Sequence, residues 1–143
     1  MMTNQRPHTN RCSRMRYHVD MATGALVPKL IGTVSGFVIG TLITAGSVFL
    51  MINLSLVSPD QTHIGIMAAY LIGTTVGGTG AGLISKRSSG AIIAVGVLLL
   101  LVGALNLTMA EHPDWFKLCT PIPFVLGSFA AVKITRNQPD TEP

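Results

Sequence analysis

Five side chains that could bind a metal ion or exchange protons fall in two short polar segments of the sequence. They are Asp60, His63, Glu111, His112 and Asp114. Carboxylate and imidazole groups brought together in space can hold a metal ion or form an acid–base pair. Their spacing matches no known metal-binding or hydrolase motif. Solvated loops are therefore the favoured interpretation, and a site in these loops is the alternative.

The cysteines also match no catalytic or metal-binding pattern. Cys12 and Cys119 form no Cys-x-x-Cys pair, and the sequence contains no recognisable Ser-His-Asp or Cys-His motif. The topology argued below places the two thiols on opposite sides of a membrane, which excludes a disulfide between them. The sequence therefore predicts two free thiols, no catalytic residue, no cofactor and no metal ligand.

The distribution of charge indicates which elements must position these residues. Charged residues make up 11% of the chain, against roughly 25% in soluble domains. They are confined to residues 1–29, three short interior clusters and residues 133–143. Long uncharged runs between such clusters are typical of membrane-spanning helices. The basic residues flank these runs and form no single basic and aromatic face, so the expected partner is the lipid bilayer and not nucleic acid.

Four apolar runs are long enough to cross a bilayer as helices. A hydrocarbon core of about 30 Å requires roughly 20 helical residues. The predicted fold is therefore an all-α membrane protein, a four-transmembrane-helix up-down bundle. Spans are predicted at about 30–56, 64–85, 91–110 and 115–134, with a basic, mostly disordered cytoplasmic arm at 1–29 and a cytoplasmic tail at 135–143.

The positive charges predict the orientation of the bundle. If the chain crosses four times, the basic arm, the Lys86-Arg87 turn, Lys133 and Arg136 all fall on one side. The acidic loops fall on the other side. Lysine and arginine concentrate on the cytoplasmic side of membrane proteins. Both termini are therefore expected in the cytoplasm.

Small residues recur every four positions in the first two spans. A four-residue step keeps side chains near one helical face, and a face without bulk lets two helix backbones approach closely in lipid. The favoured interpretation is that spans 1 and 2 pack against each other, and the alternative is self-association of two copies. A second, offset pair in span 2 is Gly78 and Gly82. The predicted helix-packing residues are Gly32, Gly36, Gly40, Gly65, Ala69, Gly73, Gly77 and Ala81.

The polar residues inside the spans are mostly neutral. Asn53 and Asn106 are expected to form interhelical hydrogen bonds, with a role in lining a site as the alternative. No Asp, Glu, Lys, Arg or His falls in the middle of a span, although coupled transporters usually need such a residue. The small multidrug transporters, which share this length and span number, use a glutamate in the first span that has no counterpart here. A coupled transporter is therefore disfavoured.

The last span begins with two prolines and with residues typical of a membrane interface. Pro121 and Pro123 predict a kink or a loosened first turn in its first half, because proline removes a helical hydrogen bond. Aromatic rings and long basic side chains concentrate at the level of the lipid headgroups. The expected interface anchors are His112, Trp115, Phe116 and Lys117.

The segment from His112 to Phe116 carries a resemblance. It reads His-Pro-Asp-Trp-Phe and follows a Gly-rich span, a Lys-Arg turn and a Leu-rich span. Over about residues 64–133 the chain resembles small uncharacterised bacterial four-span integral membrane proteins with a His-Pro-x-Trp-Phe segment before the last span. Lys117 and the Pro121-Ile122-Pro123 break depart from that pattern. The resemblance implies the bacterial inner (plasma) membrane and four helices, and it implies no chemistry.

These features rank three classes of function. The leading hypothesis is a non-enzymatic inner-membrane protein that acts through helix packing or oligomerisation, as a homo-oligomer or with a partner in a membrane complex. The alternative is a passive transporter or channel subunit assembled from several copies. A membrane enzyme with its site in the outer loops ranks third.

Overall fold

The computed structural model describes residues 11–53, 61–109 and 111–138, with side chains from residue 26 onward. Within these ranges the chain is helical, with short turns and no strand. This confirms the all-α prediction for the described part of the chain. The helices are α1 (Arg11–Asn53), α2 (Thr62–Ile84), α3 (Ser89–Met109), α4 (Asp114–Cys119) and α5 (Pro121–Asn137).

Four helical stretches are long and apolar enough to cross a membrane, as the sequence predicts. Their ends lie within a few residues of the predicted ends, although residues 54–56 and 110 fall outside the described part of the chain. The fourth stretch combines α4 and α5. The stretches are Leu26–Asn53, Thr62–Ile84, Ser89–Met109 and Asp114–Asn137.

The N-terminal segment differs from the prediction. The sequence predicts a mostly disordered arm at residues 1–29, but α1 already begins at Arg11. Nucleation is the costly step of helix formation, and the apolar part of α1 that follows residue 29 supplies the nucleus. Between Arg11 and Val27 no proline interrupts propagation. Pro28 lies inside α1, and the first ten residues lie outside the described part of the chain.

The proline-rich start of the last span interrupts the helix, as expected. Cys119 ends α4 and Pro121 begins α5, while Thr120 between them keeps helical dihedral angles of −54° and −36°. Pro121 and Pro123 lack the N–H that would continue the backbone hydrogen bonds. Thr120 donates to Phe116 O through both its backbone N–H, at 2.9 Å, and its hydroxyl, at 2.7 Å. The interruption is therefore confined to the turn around Thr120.

The central helix of the bundle is α2. It packs against α1, α3 and α5, while α3 also packs against α1 and α5. Large apolar side chains cover much of the outer surface and are exposed, as suits helices that face lipid. The buried core is small and contains the rings of Tyr70, Phe116 and Phe124.

The turn between α2 and α3 has an unusual backbone. Lys86 and Arg87 have positive φ values of 52° and 64°. The N–H of Arg87 donates to Gly82 O at 2.7 Å, which closes the end of α2 in the manner of a Schellman motif. Glycine is the usual residue at the left-handed position of that motif. Here two basic residues adopt left-handed backbone conformations instead, at a conformational cost of about 1–2 kcal/mol per residue.

Candidate functional site

The small-residue stripes of α1 and α2 meet at backbone distance. A Cβ added to Gly36 would lie 2.5 Å from Gly77 O, and a Cβ added to Gly77 would lie 2.5 Å from Gly36 O. One turn away, a Cβ on Gly40 would lie 2.9 Å from Gly73 O, and the reciprocal distance is 2.8 Å. The two backbones therefore touch directly. We call this contact, made by Gly32, Gly36, Gly40, Gly73, Gly77 and Ala81, the α1–α2 seam.

The ends of the α1–α2 seam follow the same antiparallel register. Gly32 faces Ala81, whose carbonyl oxygen would lie 2.8 Å from an added Cβ. At the other end, the hydroxyl of Thr44 donates to the carbonyl of the buried Ala69 at 3.5 Å. Gly65, the first residue of the predicted α2 stripe, is only half-buried. The structure thus brings together the predicted packing residues from Gly32 to Gly40 with those from Ala69 to Ala81.

A second small-residue contact joins α2 and α5. A Cβ on Gly78 would lie 2.9 Å from Ala131 Cβ, and a Cβ on Gly82 would lie 2.9 Å from the Thr135 hydroxyl oxygen. The register is parallel, and it extends one turn further, where a Cβ on Gly127 would lie 2.8 Å from Thr74 Cβ. The spacing of Gly78 and Gly82 indicates a packing face, but it does not indicate the helix that this face meets. Gly127, Ala131 and Thr135 repeat at the same four-residue step, so the signal was present in the sequence.

The contact between α3 and α5 pairs glycines with larger side chains. A Cβ added to Gly96 would clash with the Ser128 hydroxyl, and a Cβ added to Gly103 would lie 2.8 Å from the Phe124 ring. The Phe124 ring also packs against Tyr70, with ring centroids 4.9 Å apart. We call this contact the α3–α5 seam. Gly96 and Gly103 were not predicted, because their seven-residue step forms no four-residue stripe.

The two asparagines have different partners. Asn106 on α3 donates through Nδ2 to the hydroxyl of Tyr70 on α2 at 3.2 Å, which is the interhelical bond expected for that residue. Asn53 is exposed and donates to Phe49 O in its own helix at 2.9 Å. The bond that Asn53 makes among the described residues is therefore within α1, and an interhelical bond of this residue stays a prediction.

A cavity of about 490 Å³ lies beside the Tyr70–Asn106 pair. It is bounded by α1, α2, α3 and the Phe124 ring, and its polar lining is neutral. Thr41 and Thr44 face it from α1, opposite Tyr70 and Asn106. Such a lining can offer hydrogen bonds to a neutral molecule and has no charge to pair with an ion.

Three of the predicted interface anchors, His112, Trp115 and Phe116, form a cluster of rings with His63. The centroid of the His63 ring lies 5.7 Å from that of His112, 6.0 Å from that of Trp115 and 5.1 Å from that of Phe116. Trp115 and Lys117 are exposed, as anchors would be, and the Lys117 ammonium lies 3.3 Å from the Asp114 carboxylate. Phe116 is fully buried. The anchor prediction for Phe116 is therefore wrong, because the ring fills the core beneath the two histidines.

The environment of His112 favours its neutral form. Burial in the ring cluster lowers the pKa of His112, and the nearby charges of His63 and Lys117 lower it further. Neither ring nitrogen has a hydrogen-bond partner among the described residues. The described part of the chain also holds no group of three or more His, Cys, Asp or Glu side chains placed to bind a metal ion. Asp60, which belonged to the candidate loop site, lies outside the described residues.

No protein-family model, curated protein or solved structure matches the chain.

Proposed function

We propose that this chain is a non-enzymatic, multi-pass protein of the bacterial inner membrane that acts as one preassembled unit of packed helices. The observation that carries the proposal is the double use of α2. One face of α2 meets glycines of α1 at backbone distance, and another face meets Gly127, Ala131 and Thr135 of α5. Lipid tails are as apolar as the helices, so association in a bilayer depends on such close packing.

The internal position of the α1–α2 seam bears on oligomerisation. Both small-residue stripes are covered by a helix of the same chain, so they are not free to join two copies. A homo-oligomer, or a complex with another membrane protein, would use the apolar outer surface instead. The chain's role in this proposal is to present that surface in a fixed arrangement.

The charges support the proposed cytoplasmic position of both termini. Lys86 and Arg87 keep basic side chains in left-handed conformations that glycine adopts without strain. Lys133 and Arg136 lie near the end of α5, and the Arg87 guanidinium donates to Gln138 O at 2.5 Å. A retained positive charge in a strained turn agrees with a role in setting orientation.

A passive transporter or channel subunit is the second candidate, and the neutral polar side chains within the largely apolar cavity favour it. Thr41, Thr44, Tyr70 and Asn106 would offer hydrogen bonds to a neutral solute. The backbone contacts of the α1–α2 seam close the space between α1 and α2 beyond this cavity. A path across the membrane would therefore need several copies or a movement of α1. A membrane enzyme with an outer-loop site has less support, since His63 at the start of α2 and His112 before α4 both pack against aromatic rings.

Reconstitution separates these candidates. Purified protein in liposomes loaded with neutral solutes of increasing size is expected to release none of them faster than empty liposomes do. Release that depends on the protein and falls in the Tyr70→Phe and Asn106→Leu variants would replace the first candidate by the second. Native mass in mild detergent then reports whether the packed unit is a single chain or an oligomer.

Topology is tested separately with reporter fusions. A fluorescent reporter fused after Ser88 is expected to fold in the cytoplasm, and a periplasmic reporter at the same position is expected to stay inactive. The opposite pattern would contradict the proposed orientation.

A further inference from the structure

An open groove runs along the outer surface between α3 and α5. Its volume is about 420 Å³, within the roughly 300–1,000 Å³ typical of ligand sites. The walls are apolar, apart from Ser128, which packs against Gly96. Polar groups close only one end, where Ser89 begins α3 and Arg136 lies in the last turn of α5. The apolar wall residues are Ile93, Val97, Leu100, Val125, Phe129 and Val132.

The polar end of the groove carries positive charge. The Arg136 guanidinium is exposed, and its Nη2 lies 3.4 Å from the Ser89 hydroxyl oxygen. Among the described side chains the carboxylates are Glu111 and Asp114, and both lie at the opposite end of the bundle. The start of α3 places the positive partial charge of a helix N-terminus at this end, and the end of α5 places a negative one there, so the net positive charge is that of the Arg136 guanidinium. An anion is therefore favoured beside Arg136.

The shape and charge of the groove together select its occupant. An apolar groove on the outer surface of a membrane bundle can hold an acyl chain. A cation and a hydroxyl at its end, at the level predicted for the cytoplasmic interface, suit a phosphate group. We propose that the α3–α5 groove binds one anionic phospholipid of the inner leaflet. Arg136 and Ser89 donate hydrogen bonds to its phosphate, and one acyl chain lies along Ile93 and Val97.

This inference rests on the proposed membrane placement of the chain, and it goes beyond the proposed function by naming a ligand. The test uses the full-length protein in a neutral detergent and follows its thermal unfolding midpoint with added lipid. Phosphatidylglycerol is expected to raise the midpoint by about 5 °C more than phosphatidylcholine does, because a ligand that binds only the folded state stabilises it. The difference is expected to shrink in high salt.

Two matched pairs of variants locate the effect. Arg136→Gln is expected to abolish the preference for phosphatidylglycerol, while Lys133→Gln on the same helix, which removes an exposed charge outside the groove lining, is expected to keep it. Val97→Trp fills the groove and is expected to abolish lipid stabilisation. Leu101→Trp, on an exposed position of α3 outside the lining, is expected to retain it.

Several results would overturn the proposal. An equal loss in Lys133→Gln would mean general electrostatic attraction, and an equal rise with glycerol phosphate alone would mean a free-anion site. A lipid effect that appears only in the Asp140→Asn and Glu142→Gln variants would mean that these tail carboxylates pair with the Arg136 guanidinium in the parent chain. A folded, detergent-extracted protein without any lipid preference would reject the groove site alone, whereas a chain that stays in the aqueous fraction would reject the proposed function too.

Discussion

The α1–α2 seam and the α3–α5 seam both contain glycines, yet the first is closed and the second leaves a groove. In the α1–α2 seam glycine faces glycine, so the carbonyl of Gly77 lies where a Cβ of Gly36 would be. In the α3–α5 seam Gly96 faces Ser128 and Gly103 faces the Phe124 ring. Small against small lets two backbones meet. Small against large fills the centre of the contact but holds the helices apart at its edge.

The Phe124 ring decides how open the second seam is. It lines both the α3–α5 groove and the cavity beside Tyr70 and Asn106. The ring therefore lies between the outer groove and a second, largely apolar cavity that holds the hydroxyl of Tyr70 and the amide of Asn106. In the α1–α2 seam the glycines instead meet backbone atoms, the small side chains of Thr44 and Ala81, and the end of the Leu99 side chain.

The largest effect is expected from breaking the closed seam with Gly77→Leu. An added Cβ already lies 2.5 Å from Gly36 O, a backbone atom that cannot move without moving α1. We expect at least about 3 kcal/mol of destabilisation and little folded monomer, measured by thermal unfolding and size-exclusion chromatography in detergent. The control is Gly46→Leu on α1, where an added Cβ meets no atom within 4 Å. Equal behaviour of the two variants would contradict the structure.

The next effect concerns the wall between groove and cavity. Phe124→Ala removes a buried ring that contacts Tyr70 and Gly103, and it joins the two spaces. We expect a loss of about 3 kcal/mol in unfolding free energy. Phe129→Ala on the same helix is the control, because that ring lines only the outer groove and is 74% exposed. A similar loss in both variants would show that ring size, and not this wall, determines stability.

A test with a smaller expected effect compares glycine-to-alanine substitutions in the two seams. Gly77→Ala meets backbone atoms and is expected to cost about 2 kcal/mol. Gly96→Ala meets the Ser128 hydroxyl even more closely, but that side chain can rotate. Alanine also favours helix by about 1 kcal/mol over glycine, so Gly96→Ala is expected to lie within about 1 kcal/mol of the parent protein. A greater cost at Gly96 than at Gly77 would reverse the comparison.

The smallest effect lies outside both seams, at His112. Its pKa is lowered in the folded chain, so the unfolded chain binds the proton more readily, at a pKa of about 6.5. The stabilising effect of the neutral ring is present above that value and is lost as pH falls below it. We expect the unfolding midpoint to fall between pH 7 and 5 in the parent protein. His112→Gln is expected to reduce that dependence, and an unchanged profile in this variant would rule out His112 as its source.

Much of the architecture follows from the sequence without any tertiary information. The number and approximate ends of the spans follow from the spacing of charges, because placing an ionised side chain inside the bilayer costs free energy. The interruption at Thr120 follows from two prolines. The stripes of Gly32 to Gly40 and Ala69 to Ala81 also follow, because a four-residue step defines a helical face whatever that face meets.

What the tertiary structure decided is which faces meet. A stripe of small residues does not determine which helix it meets, so the parallel contact of α2 with Gly127 and Ala131 and the burial of Phe116 depend on neighbours distant in sequence. The groove has no sequence pattern of its own, since it is the space left where Phe124 and Ser128 keep α3 and α5 apart. Local spacing determines the surface of each helix, and only long-range packing determines what that surface touches.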